Sequence, residues 1–260
     1  MTEIRIPSDS DSLLLDADLN KPDAAKGIIL FAHGSGSSRH SPRNKYVAET
    51  LQRDGLATLL VDLLTYDEEE SDLRAQKITY KIPGFVLNKF NIKLLAKRLV
   101  SITDWILENT DTKSLIVGYF GASTGTAAAI FAAAQRPDSI GAIVSRSGRP
   151  DLAGLDLLSK VKAPTLLIVG GNDSREVIDL NKNAIQQLGS VEKKKVVEIQ
   201  GATHLFEEPG TLEKVARLAS GWFRCYFQIR EHGSVGKADS HHPPYGTTTI
   251  ISDDRDFNIP

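Results

Sequence analysis

A single cysteine, Cys225, stands in 260 residues, so the chain cannot close an internal disulfide and has no cysteine pair from which to start a zinc or iron–sulfur site. A reducing compartment fits that usage, and the cytoplasm is the expected location. Apolar runs are short, and none approaches the roughly 18 residues that a membrane-crossing helix needs. The amino terminus, Met1 to Asp11, carries three acids and no apolar stretch of the kind that forms a secretory signal. Excess charge of one sign is missing as well. Lys+Arg at 31 against Asp+Glu at 33 gives a net charge of -2, which leaves no basic footprint for nucleic acid; neither nucleic acid nor membrane is expected as a partner. The 41% hydrophobic and 25% charged content excludes a disordered or fibrous chain, and the length favours one α/β or large β domain with surface additions.

What is there has an alternating rhythm. Short runs rich in Val, Ile and Leu, at Gly27 to Ala32, Ala57 to Asp62, Ser114 to Tyr119, Gly141 to Ser145, Pro164 to Val169 and Lys195 to Ile199, read as strands buried on both faces. Weaker candidates at Glu3 to Ile6 and Ser12 to Leu15 would pair as an antiparallel hairpin at one edge. Between the strands, Ile92, Leu95, Ala96, Leu99, Ile102, Thr103 and Ile106 share one face at helical spacing, with Lys93, Lys97, Arg98 and Glu108 on the rest of the helix. A last amphipathic helix spans about Leu212 to Phe227. The pattern predicts a mostly parallel sheet with helices on both faces.

Two segments break the rhythm. Thr65 to Asn91 opens with the acidic run Asp67-Glu-Glu-Glu-Ser-Asp72, expected to face water, and continues through the apolar residues Ile78, Tyr80, Ile82, Phe85, Val86, Leu87 and Phe90. It follows a strand end, and a partial lid over residues 65–91 is the expectation. The main domain is read as residues 1–229; the tail from Arg230 to Pro260 is polar, apart from Thr247-Thr-Thr-Ile-Ile251, and is expected to be disordered or loosely docked.

The chemistry is concentrated in Gly121-Ala-Ser123-Thr-Gly125, which follows a strand and precedes a small-residue helix. A nucleophile elbow needs that order, because its serine sits on a strained strand-to-helix turn that admits no bulk at the flanking positions. A serine nucleophile also needs a base, and an acid to hold the base in the right tautomer. Asp173, in Gly170-Gly-Asn-Asp173, and His204, in Gly201-Ala-Thr-His204, each follow a predicted strand and come in the chain order of the α/β-hydrolase arrangement. Asp62, Glu176 and Asp179 compete with Asp173 for the acid's role. The turn Ala32-His-Gly-Ser-Gly-Ser-Ser-Arg39 offers an amide for an oxyanion, at Ser35 or its neighbour Gly36, with the amide of Thr124 as the second donor. Arg39 and Arg43 follow that loop, and Arg146 follows another strand, so an acidic group on the substrate is a candidate for recognition, although Arg149 and Asp151 are placed to pair with each other.

Taken together, these motifs resemble the dienelactone-hydrolase-like branch of the α/β-hydrolase superfamily over residues 20–228. The resemblance implies an eight-stranded, mostly parallel sheet, a Ser123–His204–Asp173 triad and no metal or organic cofactor. The chain is also similar to hydrolase segments joined, in some bacteria, to phosphoribosyltransferase domains. True dienelactone hydrolases carry cysteine where this chain has Ser123, so lactone specificity does not carry over. The implied activity is hydrolysis of a small carboxylic ester by an acyl-enzyme route; thioesterase, peptidase, acyltransferase or a non-catalytic binding role remain alternatives on the same fold.

Overall fold

The predicted strands form one sheet in the computed structural model, which describes residues 1–8, 10–77, 86–188, 193–233 and 249–251. Six parallel strands make its centre: β3 (Gly27–Ala32), β4 (Ala57–Val61), β5 (Ile116–Ala122), β6 (Ile140–Arg146), β7 (Thr165–Gly170) and β8 (Lys194–Ile199). The hairpin expected at the edge is there and longer than the sequence indicated. Strand β1 (Thr2–Ser8) pairs antiparallel with β2 (Ser10–Asn20), and β2 pairs antiparallel with β4. A short ninth strand, β9 (Thr249–Ile251), is added in parallel beside β8, giving the order β1-β2-β4-β3-β5-β6-β7-β8-β9.

Side-chain alternation along the strands divides the core in two. Ile28, Leu30 and Ala32 of β3 point to one face, where α3 (Ile92–Glu108), α4 (Thr124–Gln135) and α6 (Arg175–Gln187) supply Leu99, Ala128 and Ile185. Ile29 and Phe31 point to the other, covered by α1 (Pro42–Arg53) and α7 (Thr211–Gly233) through Val47, Leu51, Phe223 and Phe227. A one-turn helix, α5 (Leu155–Leu158), precedes β7. Helix α7 runs past the expected stop at Phe227 to Gly233, and three residues of the tail form β9; the remainder of the tail lies outside the described residues. Among the described residues no helix is long and apolar enough to cross a membrane.

The segment after β4 differs from expectation. Its acidic run forms α2 (Tyr66–Gln76), capped by Thr65 in a reciprocal capping box with Glu68, and two of its carboxylates turn inward. Asp72, 4% exposed, accepts hydrogen bonds from the amides of Asn88 and Lys89, so it ties the far end of the excursion back to the helix. Glu68 binds Arg98 in a fork, Nη1 to Oε2 at 2.8 Å and Nη2 to Oε1 at 2.5 Å. Arg98 also donates to the Leu63 carbonyl and is 1% exposed, so it is buried although it lies off the apolar stripe of α3. Val86 and Phe90, expected to need cover, are 57% and 47% exposed, whereas Ile78, Tyr80, Ile82 and Phe85 lie outside the described residues.

Burial pushes the Glu68 carboxyl up, but the hydrogen bonds from Arg98 and Thr65 and the Arg98 charge outweigh it and hold the group below its ordinary range. A carboxyl lowered in the folded state contributes stability that is present at neutral pH and lost as pH falls through its folded value. Glu68→Gln, which removes the carboxylate forked onto the buried Arg98, should therefore destabilise the protein by about 3 kcal/mol near neutrality. Thermal melting across pH tests this, and the gap from wild type should close on acidification.

Candidate active site

Strand β5 ends at Ala122 and α4 starts at Thr124, leaving Ser123 alone on the turn with φ 50° and ψ -122°. That conformation is costly for a residue with a β-carbon and must be held by its surroundings. The Ser123 amide donates to the Arg146 carbonyl at 3.3 Å, and its own carbonyl accepts from the amides of Thr126 at 3.1 Å and Arg149 at 3.0 Å. Two glycines let the helix come close enough. A β-carbon at Gly121 would stand 2.6 Å from the Thr126 Cα, and one at Gly125 would overlap the Ala32 carbonyl oxygen.

Asp173 and His204 come from the loops after β7 and β8 and meet at the same rim. His204 Nδ1 lies 2.8 Å from Asp173 Oδ2, which also accepts the Ser147 hydroxyl at 2.8 Å, while the Ser174 amide donates to Oδ1 at 2.7 Å. The Asp173 side chain is 3% exposed and that of His204 38%, so the acid is enclosed and the ring reaches solvent. An Nδ1–H donated to the carboxylate leaves Nε2 as the acceptor, the tautomer a general base needs. The competing acids are engaged elsewhere: Asp62 with Arg39, Asp179 with Arg175, and Glu176 at the exposed rim near Arg149. Among the described residues no hydrogen bond joins Ser123 Oγ to His204, a looseness common in hydrolases without substrate.

Ser147 is a site residue that sequence reasoning passed over. It follows β6 with φ 38°, its amide donates to the Ile168 carbonyl at 2.8 Å, and its hydroxyl braces Asp173. His33 is another. Its Nε2 accepts the Leu63 amide at 3.1 Å while Nδ1 faces the Gly34 carbonyl at 3.0 Å, which pins the glycine-rich loop to the chain leaving β4. Burial pushes His33 below its ordinary value, so it works as a neutral brace.

The loop brings Ser35 and Thr124 together, though by a different bond from the one expected. The Ser35 amide donates to Thr124 Oγ1 at 2.9 Å and is engaged, so Ser35 and Thr124 do not present two open amides to one point. A single rotation of the Thr124 side chain would release it. Beside this loop lies a cleft of about 280 Å³, with Leu64, Leu73 and Leu95 among its apolar walls and Ser35 and Glu69 among its polar ones. Gly34 joins the cleft to Ser123, since a β-carbon there would stand 3.7 Å from Ser123 Oγ. Burial, then the charges of Asp62 and Asp72, push the Glu69 carboxyl up. Its place in the cleft was hidden by reading the acidic run as a solvated face.

The arginines divide by partner. Arg39 is surrounded by carboxylates: its amide and guanidinium bind Asp62, Nη2 binds Glu3 at 2.6 Å, and Asp18 lies 3.6 Å away. It fastens the loop after β3 to the ends of β1, β2 and β4, and this corrects its assignment to substrate. Arg149 is forked onto Asp151, both contacts at 2.9 Å. Arg43 pairs with Glu207 at 3.2 Å, whereas Arg146 has no carboxylate partner among the described residues. Among the described residues no group of three or more His, Cys, Asp or Glu side chains is placed to hold a metal.

The model of the dienelactone hydrolase family matches residues 15–226, across the sheet, the elbow and both partner loops. The chain belongs to the dienelactone hydrolase family. It is 54% identical to a dienelactone hydrolase from Anabaena variabilis of known structure, with a TM-score of 0.78 over 86% of this chain and 97% of that one. Est1E from Butyrivibrio proteoclasticus, 17% identical, shares the fold at a TM-score of 0.67 over 89% of this chain and 99% of its own. A protein of Mycobacterium tuberculosis H37Rv named "Putative phosphoribosyl transferase" is 55% identical over 205 residues; the match spans 79% of this chain but 42% of that relative. In this member of the dienelactone hydrolase family the Ser147 hydroxyl is the brace most open to test. Ser147→Ala removes one of the hydrogen bonds to Asp173, a charged acceptor for which such a bond is worth about 2 kcal/mol, and should lower kcat/KM at least roughly tenfold. Steady-state kinetics beside a melting curve would show it, with the fold retained.

Proposed function

We propose that the protein is a serine hydrolase that cleaves carboxylic esters of a small molecule. The observation that carries this reading is Ser123 held at a strained strand-to-helix turn on the rim where His204 is hydrogen-bonded to the enclosed Asp173. His204 Nε2 takes the hydroxyl proton as Ser123 Oγ attacks the ester carbonyl; the tetrahedral intermediate collapses, the alcohol leaves with that proton, and Ser123 carries the acyl group. Water then gives a proton to His204, attacks the acyl-enzyme and releases the acid, and the proton returns to Ser123 Oγ. We assign the oxyanion to the Thr124 amide at the start of α4, joined by the Ser35 amide once Thr124 Oγ1, which now accepts it, has turned away.

Family membership supports a hydrolase, and the strained Ser123 beside the His204–Asp173 pair supports ester chemistry by an acyl-enzyme route. The lone, buried Cys225 fits work in a reducing cytoplasm. The reading is tested with a fluorophosphonate probe and a panel of esters, thioesters and peptides. Ser123→Ala and His204→Ala should each lose roughly a thousandfold or more in kcat, and Asp173→Asn less. Probe labelling should vanish with Ser123→Ala. Unlabelled folded wild type, or full turnover by Ser123→Ala, would overturn the assignment; faster cleavage of thioesters or peptides would move the substrate class.

A further inference from the structure

Arg146 is the last residue of β6 and pairs in register with Ala122, the residue before the nucleophile. Its carbonyl accepts the Ser123 amide, and the next residue, Ser147, braces Asp173. The strand alternation that sends Ala142 and Val144 toward the core under α1 and α7 sends the Arg146 side chain the same way. There it is 8% exposed, and its Nη2 donates to the Asn44 side-chain oxygen at 3.4 Å. Nε and Nη1 are buried without a hydrogen-bond partner.

A buried guanidinium normally carries a carboxylate, as Arg39 and Arg98 do here. Beside Arg146 stands a second cation instead. Arg43, in the first turn of α1, has its own Nε buried and unpartnered, and its Nη1 reaches outward to Glu207, whose side chain is 65% exposed. No acidic residue occupies that first turn, so the positive end of the α1 dipole adds to the same potential. Burial, then the Arg43 charge, push Arg146 down to about 10, which leaves it protonated at neutral pH. Two guanidiniums and a helix N-terminus thus converge beside Ser123, and among the described residues their one paired carboxylate is Glu207, at the rim.

We propose that Arg146 and Arg43 form an anion subsite that takes a carboxylate or phosphate oxyanion, with Glu207 as the rim carboxylate that the ligand displaces from Arg43. An oxyanion bridging the two guanidiniums satisfies their orphaned N–H groups and relieves their mutual repulsion. Where the oxyanion belongs to the substrate, the inference deepens the ester-hydrolase reading into a preference for acidic esters. Anion binding itself does not depend on that reading.

The test has two arms on the full chain. In the first, sodium phosphate and sodium succinate are titrated against chloride at matched ionic strength, read by melting temperature and calorimetry, with wild type, Arg146→Met and Arg43→Gln. Wild type should bind at least one of the two anions saturably, and each variant should lose at least about tenfold in affinity. Arg146→Met without ligand should melt at or above wild type, because a buried unpaired charge is replaced by an apolar side chain of similar length. Absence of saturable binding to wild type, or equal binding by both variants, overturns the proposal. In the second arm, the mono-p-nitrophenyl ester of succinate is compared with p-nitrophenyl butyrate. A preference for the acidic ester that Arg146→Met erases places the anion on the substrate, whereas binding without preference makes it a free effector at the same subsite. If neither ester is cleaved, the first arm still decides the subsite, and the failure belongs to the ester-hydrolase reading.

Discussion

The left-handed backbone at Ser123 is the constraint on which the site depends. A non-glycine residue there costs about 1–3 kcal/mol, and the cost is borne only because the surrounding chain over-determines the turn. Its amide is held by β6 and its carbonyl by α4 and the loop after β6, so the strand that fixes Ser123 also leads into Ser147, which braces Asp173. Gly121 and Gly125 complete the arrangement by letting α4 start against β5 and the end of β3. The site is a property of the sheet's carboxyl edge as a whole, where β3, β5, β6, β7 and β8 each end in a residue that touches another's loop.

Charge is sorted around that edge by enclosure. Where a carboxylate is near, an arginine becomes a fastener: Arg39 joins the first loop to the edge hairpin, and Arg98 anchors α2 to α3 through Glu68. At Arg146, which has no carboxylate partner among the described residues, Nε and Nη1 stay buried without a hydrogen bond beside Ser123. Acids are sorted in the same way. Glu68 and Asp72 hold the α2 excursion together, and Glu69, one residue from Glu68, turns into the cleft.

Much of this was legible in the chain. Continuous Val, Ile and Leu runs can be satisfied only by strands covered on both faces, and the Gly-Ala-Ser-Thr-Gly turn between a strand and a small-residue helix leaves few alternatives. Asp173 and His204 were also within reach, since residues just past parallel strands gather at one edge. Beyond reach were the contacts made across long sequence separations: Ser147 on Asp173, His33 on Leu63, Thr124 on Ser35, and Arg98 on Glu68. None of these pairs leaves a local signature, because hydroxyl, imidazole and guanidinium groups are used equally on surfaces.

Sequence alone determined the layered α/β architecture and the strand–turn–helix elbow that carries Ser123, because hydrophobic period and steric exclusion by side chains act over a few neighbouring residues. The tertiary structure decided which carboxylate meets the histidine, which amides are engaged, and which arginines are neutralised. Those outcomes depend on burial and on distances between loops far apart in the chain, and a charge's worth changes from little in water to a great deal in the interior.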